Sequence, residues 1–212
     1  GQRNHFHMKK GVVGLMKPML PTLTFENPEG KEWVYEVKYD GFRSFLEWDT
    51  DLKLTSRNDK PLLDIFPEIE AFFQKHHDQF QPFLPMTLDG ELVDLDNPYK
   101  ADFGAIQIRG RMRAKAKIKT QAEKHPCRLI IFDILKLRGE DLSKKPYHER
   151  RQILEKLFKQ LALQPFPDPL SSQLMQLVPQ EAHFHSLWDL IQLYNGEGIV
   201  AKQRNSVWDE GK

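Results

Sequence analysis

Residues 33–55 read WVYEVKYDGFRSFLEWDTDLKLT. Two runs in this stretch, 33–38 and 42–48, are rich in aromatic and β-branched residues, and a shorter one follows at 52–55. Asp40-Gly41 and Asp49-Thr50-Asp51 separate them with residues that favour tight turns. The pattern predicts three strands in an antiparallel meander. Successive side chains in a strand point to opposite faces, so Glu36 and Lys38 share one face.

Outward from this meander, 65–75 (IFPEIEAFFQK) carries Ile65, Phe66, Ile69, Phe72 and Phe73 at helical spacing, with Pro67 acceptable only in the first turn. A strand is expected over 86–95, interrupted by Asp89-Gly90. A short helix capped by Asp102 is expected over 102–108, and a buried-type strand over 129–135. Residues 147–161 place Tyr147, Ile153, Leu154, Leu157, Phe158 and Leu161 on one helical stripe. A strand at 174–178, a helix at 183–194 and a last strand at 199–202 complete the series. Pro165, Pro167 and Pro169 mark a loop, and Pro18, Pro21 and Pro28 punctuate an extended lead-in. Strands come in groups with helices between them rather than in regular alternation. That order argues an α+β fold of antiparallel sheets with packed helices.

The chain has 212 residues and a formal net charge of +1, with 40% hydrophobic and 29% charged residues. Such a composition excludes a disordered chain. The single cysteine, Cys127, excludes a disulfide framework and a multi-cysteine zinc site, and suits a reducing cytoplasm. No run approaches the ~20 apolar residues of a membrane span. Balanced charge means that a nucleic-acid partner must be met by clustered rather than numerous basic residues. One such cluster is Arg109, Arg111, Arg113, Lys115, Lys117 and Lys119; its alanines favour a helix, and phosphate-backbone contact competes with a plain solvated face. Residues 1–16 lack the apolar core of a signal peptide and are read as an N-terminal extension or vector-derived residues. Residues 17–212 then form one domain.

Chemistry concentrates in three segments. Lys38-Tyr39-Asp40-Gly41-Phe42-Arg43 has the pattern K-x-D-G-x-R, expected by chance with a probability on the order of 10⁻³ in a chain this long. Asp89-Gly90-Glu91-Leu92-Val93 and Glu197-Gly198-Ile199-Val200-Ala201-Lys202 each set carboxylates or a lysine beside an apolar strand. The odd spacing of Glu197 and Lys202 puts them on opposite faces of an ideal strand. The histidines, including His76-His77 and His183 with His185, show no metal-binding arrangement.

In this order and spacing the segments resemble the covalent nucleotidyltransferase superfamily of DNA ligases, RNA ligases and mRNA capping enzymes. They are most similar to bacterial ATP-dependent DNA ligases of the end-joining type. Thr55-Ser56-Arg57-Asn58 resembles that family's arginine motif, and Phe132-Asp133-Ile134 its aromatic motif on a central strand. The resemblance implies an ATP-grasp-like nucleotidyltransferase fold in which Lys38 attacks the α-phosphate of ATP, forms a lysyl-AMP and releases pyrophosphate. AMP then passes to the 5′-phosphate of nicked double-stranded DNA, and a phosphodiester bond is sealed; RNA ligation or capping is the alternative. Arg43 and Lys202 would supply the positive charge that activates a lysine and steadies the phosphates. By the same resemblance Glu36 and the backbone at Val37 meet the adenine edge, Phe132 stacks on the base and Glu91 holds the ribose. Arg43 contacts the ribose or its neighbours, Lys202 the α-phosphate, and Arg57 the phosphate side or the DNA end. Glu197, with Glu91, helps bind Mg²⁺ or Mn²⁺. A cytoplasmic monomer is implied, serving repair, recombination or replication. The family's later lysine motif and OB-type barrel find no match here; Trp208 does not fit the motif. The expectation is an isolated adenylation domain that binds ATP, adenylates itself slowly and seals nicks poorly.

Overall fold

The computed structural model describes residues 32–209 and the backbone of residues 5 and 6. The prolines at 18, 21 and 28 and the last three residues lie outside the described residues. Strand β1 (His5–Phe6) precedes β2 (Trp33–Lys38), β3 (Phe42–Trp48) and β4 (Leu52–Ser56). Helices α1 (Pro67–Lys75) and α2 (His77–Phe80) lead to β5 (Met86–Val93), β6 (Leu95–Asn97) and β7 (Lys100–Ala101). Then come α3 (Phe103–Gly110), α4 (Lys115–Lys124), β8 (Arg128–Leu137), β9 (Glu140–Asp141) and α5 (Tyr147–Gln160). The last elements are β10 (Met175–Leu177), β11 (Gln180–Glu181), α6 (Phe184–Leu193) and β12 (Gly198–Gln203).

Two principal sheets result. One has the order β1-β12-β2-β11, and the other β10-β8-β5-β3-β4 with β9 on β8. The pairing is mainly antiparallel, as an α+β fold requires. The β1–β12 and β10–β8 pairs are parallel, the latter because a crossover through α5 joins its two strands.

The expected meander is only half present. β3 and β4 form a hairpin with Trp48 opposite Leu52. β2, however, pairs with β12 and β11 in the other sheet. Asp40-Gly41 therefore carries the chain from one sheet to the other instead of reversing it. Gly41 is needed because a Cβ there would lie 2.2 Å from the Leu92 carbonyl oxygen on β5.

The Asp89-Gly90 dipeptide does not interrupt its strand either; β5 runs through it as a β-bulge. Asp89 faces Asp133 on β8 while Gly90 faces Ile131, which leaves Phe132 as the extra residue. A Cβ on Gly90 would meet the Ile130 carbonyl oxygen at 2.5 Å. The bulge breaks the strict alternation of β8, so the consecutive residues Phe132 and Asp133 both line the cleft between the sheets.

Each sheet has its own core. Leu46, Trp48 and Leu88 of the larger sheet pack with Phe66, Ile69, Phe73 and Phe80 around α1 and α2, and with Leu154, Leu157 and Phe158 of α5. Tyr35, Val37, Ile199 and Ala201 of the smaller sheet pack with Phe184, Leu187, Trp188 and Ile191 of α6. Burial of such side chains contributes roughly 1.5–3 kcal/mol each. Helix α1 begins with Pro67 in its first turn, and the Asp102 carboxylate caps α3 by accepting the Ala105 amide at 2.9 Å.

Candidate active site

The uncovered faces of the two sheets enclose a cavity of about 290 Å³. Glu36, Val37, Lys38, Arg43, Glu91, Phe132 and Lys202, seven of the nine residues singled out in the sequence, line it. β2 and β12 pair antiparallel with Val200 opposite Glu36 and Gly198 opposite Lys38. Glu36, Lys38, Val200 and Lys202 thereby fall on one face, the face of the cleft.

On that side the Lys38 amine lies 3.5 Å from an Asp40 carboxylate oxygen. Glu36 is buried and accepts Lys202 Nζ at 2.7 Å, Gln180 Nε2 at 2.9 Å, and the Tyr147 hydroxyl. Burial alone would raise its pKa. The charges of Lys202 and Arg151 and the hydrogen bonds from Lys202 and Tyr147 outweigh burial and hold Glu36 below its ordinary value, so it is ionised. Lys202 Nζ stands 4.5 Å from the centroid of Phe132 and 4.9 Å from that of Tyr147.

On the other side Arg43 donates from Nε and Nη2 to the two oxygens of the fully buried Asp89, at 2.9 and 2.6 Å. The Trp208 indole N–H donates to the same carboxylate at 3.1 Å. Glu91, opposite Arg43 in the ladder, accepts the Gly41 amide at 3.1 Å. Burial pushes Glu91 up to about 7; the Gly41 hydrogen bond and the Arg43 charge offset only part of it.

A carboxyl group that holds its proton more tightly when folded makes folding less favourable as pH rises from 4.5 to about 7. The effect is at most about 3 kcal/mol. In urea melts, wild type is expected to lose stability relative to Glu91→Gln between pH 4.5 and pH 8, with most of the loss complete near pH 7. A difference that does not vary with pH would contradict the assignment.

Two expected site residues lie elsewhere. Arg57 is exposed in the turn after β4 and is absent from the cavity lining, although Ser56 before it pairs with Ser44, the neighbour of Arg43. Glu197 precedes β12 outside the cavity lining, beside Asp40; burial and Asp40 raise its pKa. The basic cluster does not act as one surface. Arg109 is buried, donating to the Ile65 carbonyl at 3.0 Å and to Glu68 at 2.5 Å, so it cannot contact DNA. Arg111, Arg113, Lys115, Lys117 and Lys119 are exposed; the expected helix holds for Lys115, Lys117 and Lys119 on α4, whereas Arg111 and Arg113 lie in the non-helical segment before it.

The cleft also contains residues to which the sequence reading gave no site role: Asp89, Asp133, Tyr147, Arg150 and Trp208. Tyr147 reads as one more apolar position on its helix stripe. Trp208 reaches the cleft because the strap 204–208 is tied to the start of α5. There the Tyr147 and His148 amides donate to the Ser206 and Arg204 carbonyls at 2.8 and 2.9 Å. These are amides that a helix N-terminus leaves without internal partners.

Two sheets meeting at a lysine-bearing crossover, with an aromatic residue on a bulge facing the lysine's sheet, match the fold of the nucleotidyltransferase domain of ATP-dependent DNA ligases. The chain belongs to the ATP dependent DNA ligase domain family, which it matches over residues 18–212. It is 43% identical over 195 residues to the bifunctional non-homologous end joining protein LigD of Bacillus subtilis, covering 92% of this chain and 32% of that protein. It is 33% identical over 151 residues to DNA ligase C of Mycobacterium tuberculosis, covering 69% of this chain and 39% of that one. The chain thus spans about a third of the length of these curated relatives. Its fold superposes on mycobacterial DNA ligase D complexed with ATP with a TM-score of 0.63 at 24% identity, over 84% of this chain and 50% of that one. For the ATP-dependent DNA ligase of bacteriophage T7 in complex with ATP the TM-score is 0.55 at 16% identity, over 85% and 59%.

Proposed function

We propose that this domain takes AMP from ATP onto Lys38 and passes it to the 5′-phosphate at a nick in duplex DNA. The observation that carries the reading is the convergence of Lys38, Glu36, Glu91, Arg43, Phe132 and Lys202 on one cleft from two different sheets. As the neutral amine, Lys38 Nζ bonds to the α-phosphorus while the bond to the pyrophosphate oxygen breaks; pyrophosphate departs, one N–H proton passes to solvent, and a phosphoramide results. Phe132 and Val200 offer apolar surface to the base, Glu36 and the Val37 backbone meet its edge, and Glu91 accepts a ribose hydroxyl. Glu91 performs that task best as a carboxylate, which its raised pKa delays to near-neutral pH. Arg43, oriented by both oxygens of Asp89, is held toward the ribose. Lys202 brings positive charge to the phosphates while one of its three N–H donors stays on Glu36.

The metal reading fits this donor set. Mg²⁺ takes one or two carboxylates and completes its shell with water and substrate phosphates. Asp40 and Glu197 are neighbours at the mouth beside Lys38, and no group of three or more potential ligands exists among the described residues. Bound there, the ion would offset charge on the phosphates. Glu91, engaged with the Gly41 amide, is the weaker candidate.

The exposed Arg111, Arg113, Lys115, Lys117 and Lys119 are assigned to the DNA backbone. Lys115, Lys117 and Lys119 occupy the first turns of α4, where the helix dipole disfavours cations and a phosphate would relieve them. The triple change Lys115→Glu, Lys117→Glu and Lys119→Glu is expected to weaken binding to nicked duplex and to flatten the salt dependence by about 0.9 log units per lost contact. An unaltered salt slope removes this surface from the DNA path. Arg109→Ala belongs to a different class: it is expected to destabilise the fold.

The relatives named above are a non-homologous end joining protein and a DNA ligase, and repair of DNA ends in a cytoplasmic setting is the matching role for this chain. Intact-mass analysis after incubation with ATP and Mg²⁺ tests the proposal. One adenylyl group mapped to Lys38 supports it; no adduct, or an adduct on another residue, refutes it. Nicked DNA against nicked RNA then distinguishes the two kinds of ligase.

A further inference from the structure

Glu36 lines the cleft although only 1% of its surface is exposed. An ionised carboxylate offers about four acceptor positions, two on each oxygen. On Oε2 both are filled, by the Tyr147 hydroxyl and by Gln180 Nε2 at 2.9 Å. On Oε1 one is filled, by Lys202 Nζ at 2.7 Å. One position remains, and it is on Oε1. Tyr147 reaches Glu36 from the start of α5, and its ring lies beside the Arg150 guanidinium at 5.3 Å and Lys202 Nζ at 4.9 Å. Burial pushes the Tyr147 phenol well up, so it is a neutral hydroxyl and a donor.

We propose that Tyr147 and Gln180 are positioning residues for nucleobase selection: by saturating Oε2 they fix Glu36 so that its single open acceptor, on Oε1, receives the exocyclic amine of a 6-aminopurine. The inference rests on the reading of the cleft as an ATP site and names what makes that site choose its base. A 6-aminopurine donates an N–H to Oε1. A 6-oxopurine sets a carbonyl oxygen against it, so two acceptors face each other in a buried place and neither is satisfied. Without its two partners the carboxylate can rotate, and the open lone pair loses its direction.

AMP and IMP differ only in the C6 group and the N1 proton that accompanies the 6-oxo form, and neither carries a leaving group, so their binding by calorimetry isolates base selection from the reaction. Wild type is expected to prefer AMP. Tyr147→Phe keeps the ring and removes the hydroxyl. It is expected to reduce the AMP/IMP preference about tenfold, through weaker AMP binding with IMP little changed. The remaining preference should also disappear at a higher pH than in wild type as the medium is acidified. The lost hydrogen bond had been lowering the Glu36 pKa, and a protonated carboxyl can donate to a 6-oxo group. A merely structural role would weaken both nucleotides alike and leave that pH dependence in place. An unchanged ratio, or an equal loss for AMP and IMP, overturns the inference. Gln180→Leu carries the same expectation should Tyr147→Phe fail to fold. If the preference falls as expected while ATP leaves Lys38 unmodified, the inference stands and the assignment of Lys38 as nucleophile fails.

Discussion

Replacing Lys38 with arginine is expected to abolish uptake of the adenylyl group while leaving ATP binding within a few-fold of wild type. Arginine keeps the positive charge beside Asp40, which is 3.5 Å from the lysine amine, but its delocalised guanidinium stays protonated and offers no nucleophilic lone pair. The remaining contacts of the cleft, from Glu36, Arg43, Glu91 and Phe132, are untouched by the change. Loss of a covalent nucleophile is felt on a scale of roughly 10⁴-fold or more, so mass spectrometry should find no adduct. Binding of ATP by calorimetry should persist, and this separates lost chemistry from a damaged pocket. A variant that still gains AMP would remove Lys38 from the role of nucleophile. Lys38→Ala should share the loss of labelling and, lacking the cation, bind ATP more weakly than the arginine variant.

Much of this cleft was legible in the sequence, for a reason specific to strands. Alternation alone places Glu36 and Lys38 together, and their face is the cleft face. Spacing could not say which strand lies beside β2. Asp40-Gly41 has the composition of a hairpin turn, yet the decisive fact is the 2.2 Å approach to Leu92, set by a strand fifty residues away. The bulge at Phe132 is equally hidden, since it exists only in the pairing of β5 with β8. The basic cluster misleads for a similar reason. Arg109 and Arg111 look alike in sequence, but the turn of α3 directs the first to Glu68 and leaves the second in solvent. Tyr147 and Trp208 carried no signal because each acts through a residue remote in sequence, Glu36 and Asp89. Buried carboxylates recruit partners from wherever the fold brings a donor.

A large stability effect is expected at the buried Arg150–Asp133 pair. Asp133 is 5% exposed and receives two hydrogen bonds from Arg150, Nε at 2.8 Å and Nη2 at 2.9 Å. Burial still leaves its pKa above the ordinary value, with Arg150 offsetting only part of the rise. Arg150 also donates from Nη1 to the Lys145 and Ser206 carbonyls at 2.6 and 3.1 Å, so it fastens the strap that carries Trp208. Arg150→Met preserves most of the apolar stem and removes every one of these donors. Breaking a buried pair from one side costs about 3–5 kcal/mol; the surviving carboxylate would keep only the Ile134 amide, at 2.9 Å, and the field of Lys202. That loss is expected in urea melts at pH 8. It should shrink toward pH 5, since a carboxyl deprived of its cation regains neutrality by holding a proton. Asp133→Leu in the Arg150→Met background removes the stranded charge and should recover much of the loss. A cost below about 1 kcal/mol at pH 8, or one that does not change with pH, would mean that Asp133 has found water or another cation. The strap and Trp208 would then owe their position to the α5 amides alone.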